Sequence, residues 1–281
     1  MSYSKIKSYA KINLALNIIG KSSSLHKIES IISFLDLHDL ILIKKITNKD
    51  HKIKFNGMFS KNIGRDNSVS RLLDNIHKKN LLKKMKFEII IQKNIPSEAG
   101  LGGGSMNAAY ILKFLLKKNI IKISKKQIIE IANSVGSDVI LGMYSKKLVL
   151  KSNNTIQEFS NLRNFNTLVV KPNFGCSTKK IYSEVKNFKK AQFSRPSKNM
   201  FNFSFLKKTK NDLESIAFNK HPRLYNLKAY LEKLSNVKFV RMTGSGSAVI
   251  AYFSSNKFCK AAERKVRKQF RNYWCKTAKT I

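Results

Sequence analysis

Acidic side chains are scarce in this chain of 281 residues: 16 Asp and Glu stand against 55 Lys and Arg, a formal net charge of +39. Tryptophan occurs once, proline four times and cysteine three times. So little proline and glycine, beside 42% hydrophobic residues, excludes a collagen-like, mucin-like or fully disordered chain. Cys176, Cys259 and Cys275 are odd in number, far apart and without C-x-x-C spacing. That argues against a disulfide framework or a zinc site. No stretch approaches about 18 apolar residues, so nothing reads as a membrane span. The opening segment, MSYSKIKSYAKINLALNIIGK, is interrupted by Lys11 and Asn13 and lacks an A-x-A site, unlike a secretory leader. The expectation is a cytoplasmic protein with no membrane partner. Hydrophobic residues make up 42% of the chain, enough for a packed core.

A basic surplus is the electrostatic footprint of a nucleic-acid binder. Here its distribution points elsewhere. No run exceeds two consecutive basic residues, and the surplus covers both halves. Only nine of the cations are Arg, the residue whose planar fork suits bases and phosphates. Ile and Asn crowd the chain beside Lys, as adenine- and thymine-rich codons would dictate. No specific nucleic-acid partner is expected, and an RNA-binding protein stands as the rival reading.

The pattern is α+β in two halves. Residues 6–19 read as one or two apolar strands around a polar pair. Residues 30–46 carry two β-branched runs split by Asp36 and Asp39. A helix over 66–80 is announced by Asp66 or Asn67 as its cap, with Val69, Leu72, Leu73 and Ile76 on one face. A strand over 86–92 leads into a turn-rich loop, Asn94 to Gly104, then a helix over 105–118. A further helix fits 124–134 with Ser124 as cap. The stretch KSNNT near 152–155 suggests a boundary, giving domains 1–153 and 154–281. Beyond it come a strand at 168–172 and a helix at 178–186, then 187–208 without a clear period. A helix at 222–235, two strands around a GSG turn, a basic helix at 256–271 and a last strand follow.

Four segments carry chemistry. In NIPSEAGLGGGSMNAAY, Gly100, Gly102, Gly103 and Gly104 lie between a strand and a helix. Glycines let backbone N–H groups approach a ligand, and the helix start adds unpaired donors and a positive dipole end. Together they suit a phosphate, although neither a Walker loop nor a clean G-x-G-x-x-G is present. In SVGSDVILG, Asp138 follows a helix end, where turn formation is the commoner use of Asp. In SYAKINLAL, Lys11 and Asn13 point the same way from one strand. A core-facing Lys there needs an anionic partner. The segment RMTGSGSAVIAYF is explained by a β-hairpin if taken alone.

In that order, the A-K-I-N strand, the PSEAGLGGGS loop, the following G-S-D and the late GSGS turn resemble the GHMP kinases. The similarity runs from about residue 8 to 253. Within the family it is nearest to kinases of non-mevalonate isoprenoid-precursor synthesis. LHKIESIISFLDLHDLILI, RDNSVSRLL and NDLESIA before His221-Pro222 carry that part of it. The resemblance implies an N-terminal domain like domain 2 of ribosomal protein S5, a ferredoxin-like C-terminal domain, and a cleft for ATP and substrate. It implies transfer of the γ-phosphoryl group of ATP, with Mg²⁺, to the 2-hydroxyl of a cytidine diphosphate-linked methylerythritol. Lys11 and Asp138 take the catalytic positions. Pro96, Ser97, Glu98, Ala99, Gly100, Leu101, Gly102, Gly103, Gly104, Ser105 and Met106 form the ATP-phosphate loop. Asn13, Leu25, His26, Thr178 and Tyr182 take the substrate positions, with Tyr182 and residue 25 on the cytosine and His26 at its edge. Metal ligands are not implied residue by residue, and a monomer or homodimer is expected. The chain departs from the family pattern at Ser23-Ser24, Leu25, Met106, Ile140 and Gly142, where relatives carry D-G, an aromatic, Ser, Pro and an aromatic. Leu25 removes one stacking face, and Met106 removes a hydroxyl. Another GHMP kinase, such as homoserine kinase, is the rival within the family.

Overall fold

A computed structural model describes residues 2–22 and 25–281; the Ser23-Ser24 departure lies outside them. The chain divides into two compact units, each built from separated segments. One takes the residues up to Lys11, Leu37–Ser97 and Gly102–Ser145. The other takes Ile12–Asp36, Glu98–Leu101 and Lys146–Ile281.

Two long strands, β1 (Ser4–Lys21) and β2 (His26–Ile46), run through both segment sets and pair with each other. Residues 6–19 are thus one strand, and Asp36 and Asp39 do not split the second. Both aspartates are answered by backbone donors: Lys279 N–H reaches Asp36, and Asn94 and Ile95 N–H reach Asp39.

In the first unit the end of β2 pairs antiparallel with β4 (Lys86–Gln92), from Leu40 opposite Gln92 to Ile46 opposite Lys86. A short β3 (Lys52–Asn56), unsignalled in the sequence, pairs parallel with β4. Helices α1 (Ser68–Lys78), α2 (Gly103–Lys117) and α3 (Lys125–Val135) cover the sheet. Ile41, Ile43, Ile89 and Ile91 meet Leu72, Ile76, Ile111, Leu115 and Ile131 in one core. Asn67 caps α1 and Ser124 caps α3, each in a reciprocal box with the residue three positions on. A four-residue helix α4 (Val139–Gly142) follows Asp138.

In the second unit the start of β2 pairs with β5 (Lys147–Leu150), which pairs with β6 (Ile156–Phe159). The KSNNT segment is the turn between them. A separate sheet is built from β7 (Asn166–Lys171), β8 (Val237–Met242), β9 (Val249–Phe253) and β10 (Trp274–Lys279), in the order β10-β7-β9-β8. All its pairings are antiparallel. Helices α5 (Thr178–Tyr182), α6 (Phe203–Lys208), α7 (Leu213–Lys220), α8 (Pro222–Glu232) and α9 (Asn256–Gln269) complete the unit. Chain order and strand order match the expected ferredoxin-like β-α-β-β-α-β arrangement. Val240, Met242, Val249 and Ala251 face Leu213, Leu224, Leu227, Cys259 and Val266 in its core. Helix α5 is shorter than the expected 178–186, and the chain beyond it is taken up by long-range bonds: Lys189 N–H donates to Ile18 O at 2.9 Å. Among the described residues no helix is long and apolar enough to cross a membrane.

Candidate functional site

Lys11 sits on β1 with its side chain 4% exposed, a cost that an unpaired ammonium could not bear. Its Nζ lies 2.8 Å from Asp138 Oδ2, and Asp138 is about one-third exposed. A turn of chain places that carboxylate: Gly136 ends α3, and Asp138 precedes α4 without using its side chain as a cap. One carboxylate oxygen thus meets a buried cation while the group still reaches solvent.

The glycine loop arrives at the same pair. Gly102 is the residue before α2 and has φ +67°, the left-handed region that favours glycine. A Cβ there would stand 3.4 Å from Lys11 Cε and 3.7 Å from Asp138 Oδ2. The missing side chain therefore leaves open the space over the ion pair. Helix α2 begins at Gly103, two residues before the expected start, and no side chain caps it. Its first N–H groups and dipole end are left for an anion. Gly103 serves a different need from the one its sequence suggests. A Cβ there would meet Ile95 Cγ2 at 3.1 Å and Lys93 Nζ at 3.2 Å, so its smallness allows packing beneath the loop. A Cβ on Gly104 would lie 3.2 Å from Ser68 Oγ.

Beneath the loop lies a buried carboxylate that sequence reading took only as a strand interruption. Asp39 accepts Asn94 N–H at 2.7 Å, Ile95 N–H at 2.8 Å and the Asn107 amide at 3.0 Å, and pairs with the buried Lys93 ammonium. It ties the strand exit before the loop to the helix after it. The only sequence signal was its polarity inside an apolar run.

Met106 belongs to the core. Its side chain is fully buried, and its N–H already bonds Gly102 O at 2.8 Å. It therefore has no free hydroxyl or N–H for a phosphate, contrary to its place in the expected loop contacts. A Cβ on Gly142 would come within 2.5 Å of Ala109 Cβ and 3.1 Å of Met106 Sδ. The bulky Met106 and the small Gly142, two departures from the family pattern, are thus neighbours in one packing arrangement. Ala99 and Leu101 are also buried, whereas Ser97 and Glu98 are exposed.

In the second unit the late Gly/Ser turn gathers several of the expected residues. Thr243 Oγ1 accepts Asn13 N–H at 3.0 Å and donates to Gly100 O at 3.1 Å. Gly100 has φ +70°, and a Cβ on it would fall 1.9 Å from Thr243 O. Ser247 and Ala248 N–H bond the carbonyls of Glu98 and Ala99. Thr178 Oγ1 lies 3.0 Å from Ser245 Oγ. Asn13 is buried, its amide donating to Ser30 Oγ at 2.8 Å. The turn is therefore more than a hairpin: it fixes the middle of the glycine loop.

His26 and Tyr182 meet with ring centroids 5.2 Å apart at 45°. Burial, with Lys21 nearby, lowers the His26 pKa below its ordinary 6.5, so the imidazole is neutral at pH 7. Its Nε2 is buried without a hydrogen-bond partner. Leu25 is 63% exposed.

Comparisons with known proteins give the family. Residues 67–146 match the GHMP kinases N terminal domain, and residues 185–274 match the GHMP kinases C terminal model. A 4-diphosphocytidyl-2-C-methyl-D-erythritol kinase of Pelagibacter ubique (strain HTCC1062) is 53% identical over the full length of both chains. The kinase of that name from Clostridium tetani (strain Massachusetts / E88) is 30% identical, over 99% of this chain and 100% of its own. Among solved structures, a 4-(cytidine 5'-diphospho)-2C-methyl-D-erythritol kinase superposes with TM-score 0.79 at 21% identity, covering 98% of this chain and 99% of that one. A homoserine kinase from Cytophaga hutchinsonii gives 0.74 at 14% identity, over 100% of this chain and 95% of its own, a likeness of fold.

Proposed function

The chain belongs to the GHMP kinase family, and from that membership we propose that it phosphorylates 4-diphosphocytidyl-2-C-methyl-D-erythritol on its 2-hydroxyl with ATP, in isoprenoid-precursor synthesis by the non-mevalonate route. The observation that carries the reading is the buried Lys11 paired with Asp138 directly beside Gly102, at the uncapped start of α2. A proton acceptor, a cation and an anion-binding helix end meet there.

Phosphoryl transfer asks the protein mainly for positioning and charge neutralisation. Asp138 takes the hydroxyl proton on Oδ1, while Oδ2 stays on Lys11. Lys11 holds Oδ2 in place and stabilises charge on the attacking oxygen. The backbone from Gly102 to Ser105, at the start of α2, holds the phosphates. Asn13, Thr178, Tyr182 and His26 line the substrate, with the neutral His26 at the base edge and Leu25 beside it. The catalytic pair and the loop from Gly102 onward belong to the first unit, and Glu98–Leu101 with the late Gly/Ser turn to the second.

Among the described residues no group of three His, Cys, Asp or Glu could hold a metal alone. Mg²⁺ commonly uses one or two carboxylates, waters and substrate phosphates. An ion of that kind would come in on the nucleotide phosphates, with water completing its shell. Such an ion would neutralise phosphate charge. We place the enzyme in the cytoplasm, as a monomer or homodimer with no specific nucleic-acid partner.

The full-length relative at 53% identity favours the cytidyl substrate over homoserine. A coupled assay for ADP release tests this. Turnover with the cytidyl substrate and none with homoserine is expected, and the reverse pattern would overturn the assignment.

A further inference from the structure

We propose that Phe188 supplies the aromatic face that position 25 lacks, so that the cytosine ring of the substrate is covered by Phe188 beside His26 and Tyr182. The inference rests on the cytidyl reading above and adds a specificity-determining residue to it.

Phe188 lies in the stretch that showed no sequence period. Its ring centroid is 6.4 Å from that of His26, at 47°, on the ring that also meets Tyr182. It is nevertheless 46% exposed. A large aromatic on a loose loop loses exposure by folding onto the core, but this one is held in place. Lys189 N–H bonds Ile18 O at 2.9 Å, and the Lys189 ammonium pairs with Asp212. Three and four residues further on, Gln192 and Phe193 N–H donate to the buried Glu29 carboxylate at 2.6 and 2.9 Å. The backbone on the C-terminal side of Phe188 is thereby pinned to β1 and β2. Its half-exposed ring is presented beside a neutral imidazole whose buried Nε2 has no partner.

Those features describe a site for a flat heteroaromatic with a hydrogen-bonding edge. Rings pack favourably when offset or tilted. Stacking accepts any base and so supplies affinity, whereas an imidazole nitrogen can read an edge. Leu25, 63% exposed and without a π face, cannot stack.

The test varies the cytidyl substrate at saturating ATP for the parent, Phe188→Ala and Phe188→Tyr, with cytidine 5′-diphosphate binding measured by calorimetry on the same proteins. Phe188→Ala should raise the KM for the cytidyl substrate and the Kd for cytidine diphosphate by about five- to tenfold. The KM for ATP and kcat should hold, because uniform binding alters KM alone. Phe188→Tyr should restore both constants. A Phe188→Ala enzyme within twofold of the parent in both would overturn the proposal. A parent that binds cytidine diphosphate with the predicted Phe188 dependence but does not phosphorylate the cytidyl substrate would overturn the function and leave the base contact standing. A parent that turns over the cytidyl substrate but binds no cytidine diphosphate would overturn the base contact and leave the function standing.

Discussion

Lys11 is a buried ammonium, and desolvation makes its contact with Asp138 a structural necessity as well as a catalytic opportunity. Asp138→Asn keeps an oxygen that can accept from Lys11 and removes the proton acceptor. We expect kcat to fall about 10²-fold or more, with nucleotide affinity by calorimetry and the unfolding midpoint little changed. Retained kcat would remove Asp138 from the base role. Gly102 is the second decisive position. Gly102→Ala strains a left-handed residue by about 1 kcal/mol and places a methyl against Lys11 Cε. A small displacement of reacting groups costs far more in rate than in binding. The expected outcome is a loss of kcat of roughly tenfold or more that exceeds the change in KM for ATP. The missing Cβ of Gly103, by contrast, faces Ile95 and Lys93. A bulky residue there disturbs packing as well as nucleotide binding, so Gly102 is the cleaner probe of the site.

The glycine loop is a hydrogen-bonded element whose conformation is set by others. Thr243 joins β1, through Asn13 N–H, to the Gly100 carbonyl. Thr243→Val keeps the volume and deletes the hydroxyl, leaving a buried N–H and carbonyl without that partner. Such a loss costs about 1–3 kcal/mol, which a urea titration would register as a lowered midpoint at unchanged slope. An unchanged midpoint would show that water replaces the hydroxyl. The neighbouring segments are legible as elements because their signals are local. The Asn67 and Ser124 caps mark α1 and α3, and apolar alternation marks β4. The continuity of β2 is not legible in the sequence because Asp36 and Asp39 are polar, and nothing adjacent announces the distant N–H groups that satisfy them.

Across the whole molecule the +39 charge is the largest electrostatic fact. It is spread over both halves and carried mostly by Lys, so polyanions should be held by counterion release alone. Retention on immobilised RNA is expected to be blind to sequence and lost at moderate salt. Binding of one RNA at nanomolar affinity in physiological salt would reverse that assignment.

What the sequence determined by itself is what short-range physics writes into it. Capping residues, apolar period, glycines that need open backbone, and a Lys on an apolar strand that needs an anionic partner all declare themselves within a few positions. The glycine loop and Lys11 were legible on that basis, whereas Asp138 read locally as a turn former and drew a catalytic expectation only from the resemblance to the GHMP kinases. Tertiary structure alone decided the rest, because a buried polar group chooses its partner by position in space. Lys11 meets a carboxylate far along the chain. Asp39 turns from a strand interruption into the anchor of the loop. Met106 turns from a loop contact into core beside Gly142, where excluded volume, not hydrogen bonding, sets its neighbour. Phe188, in a stretch without period, reaches His26 only because Glu29 and Ile18 capture the backbone that follows it.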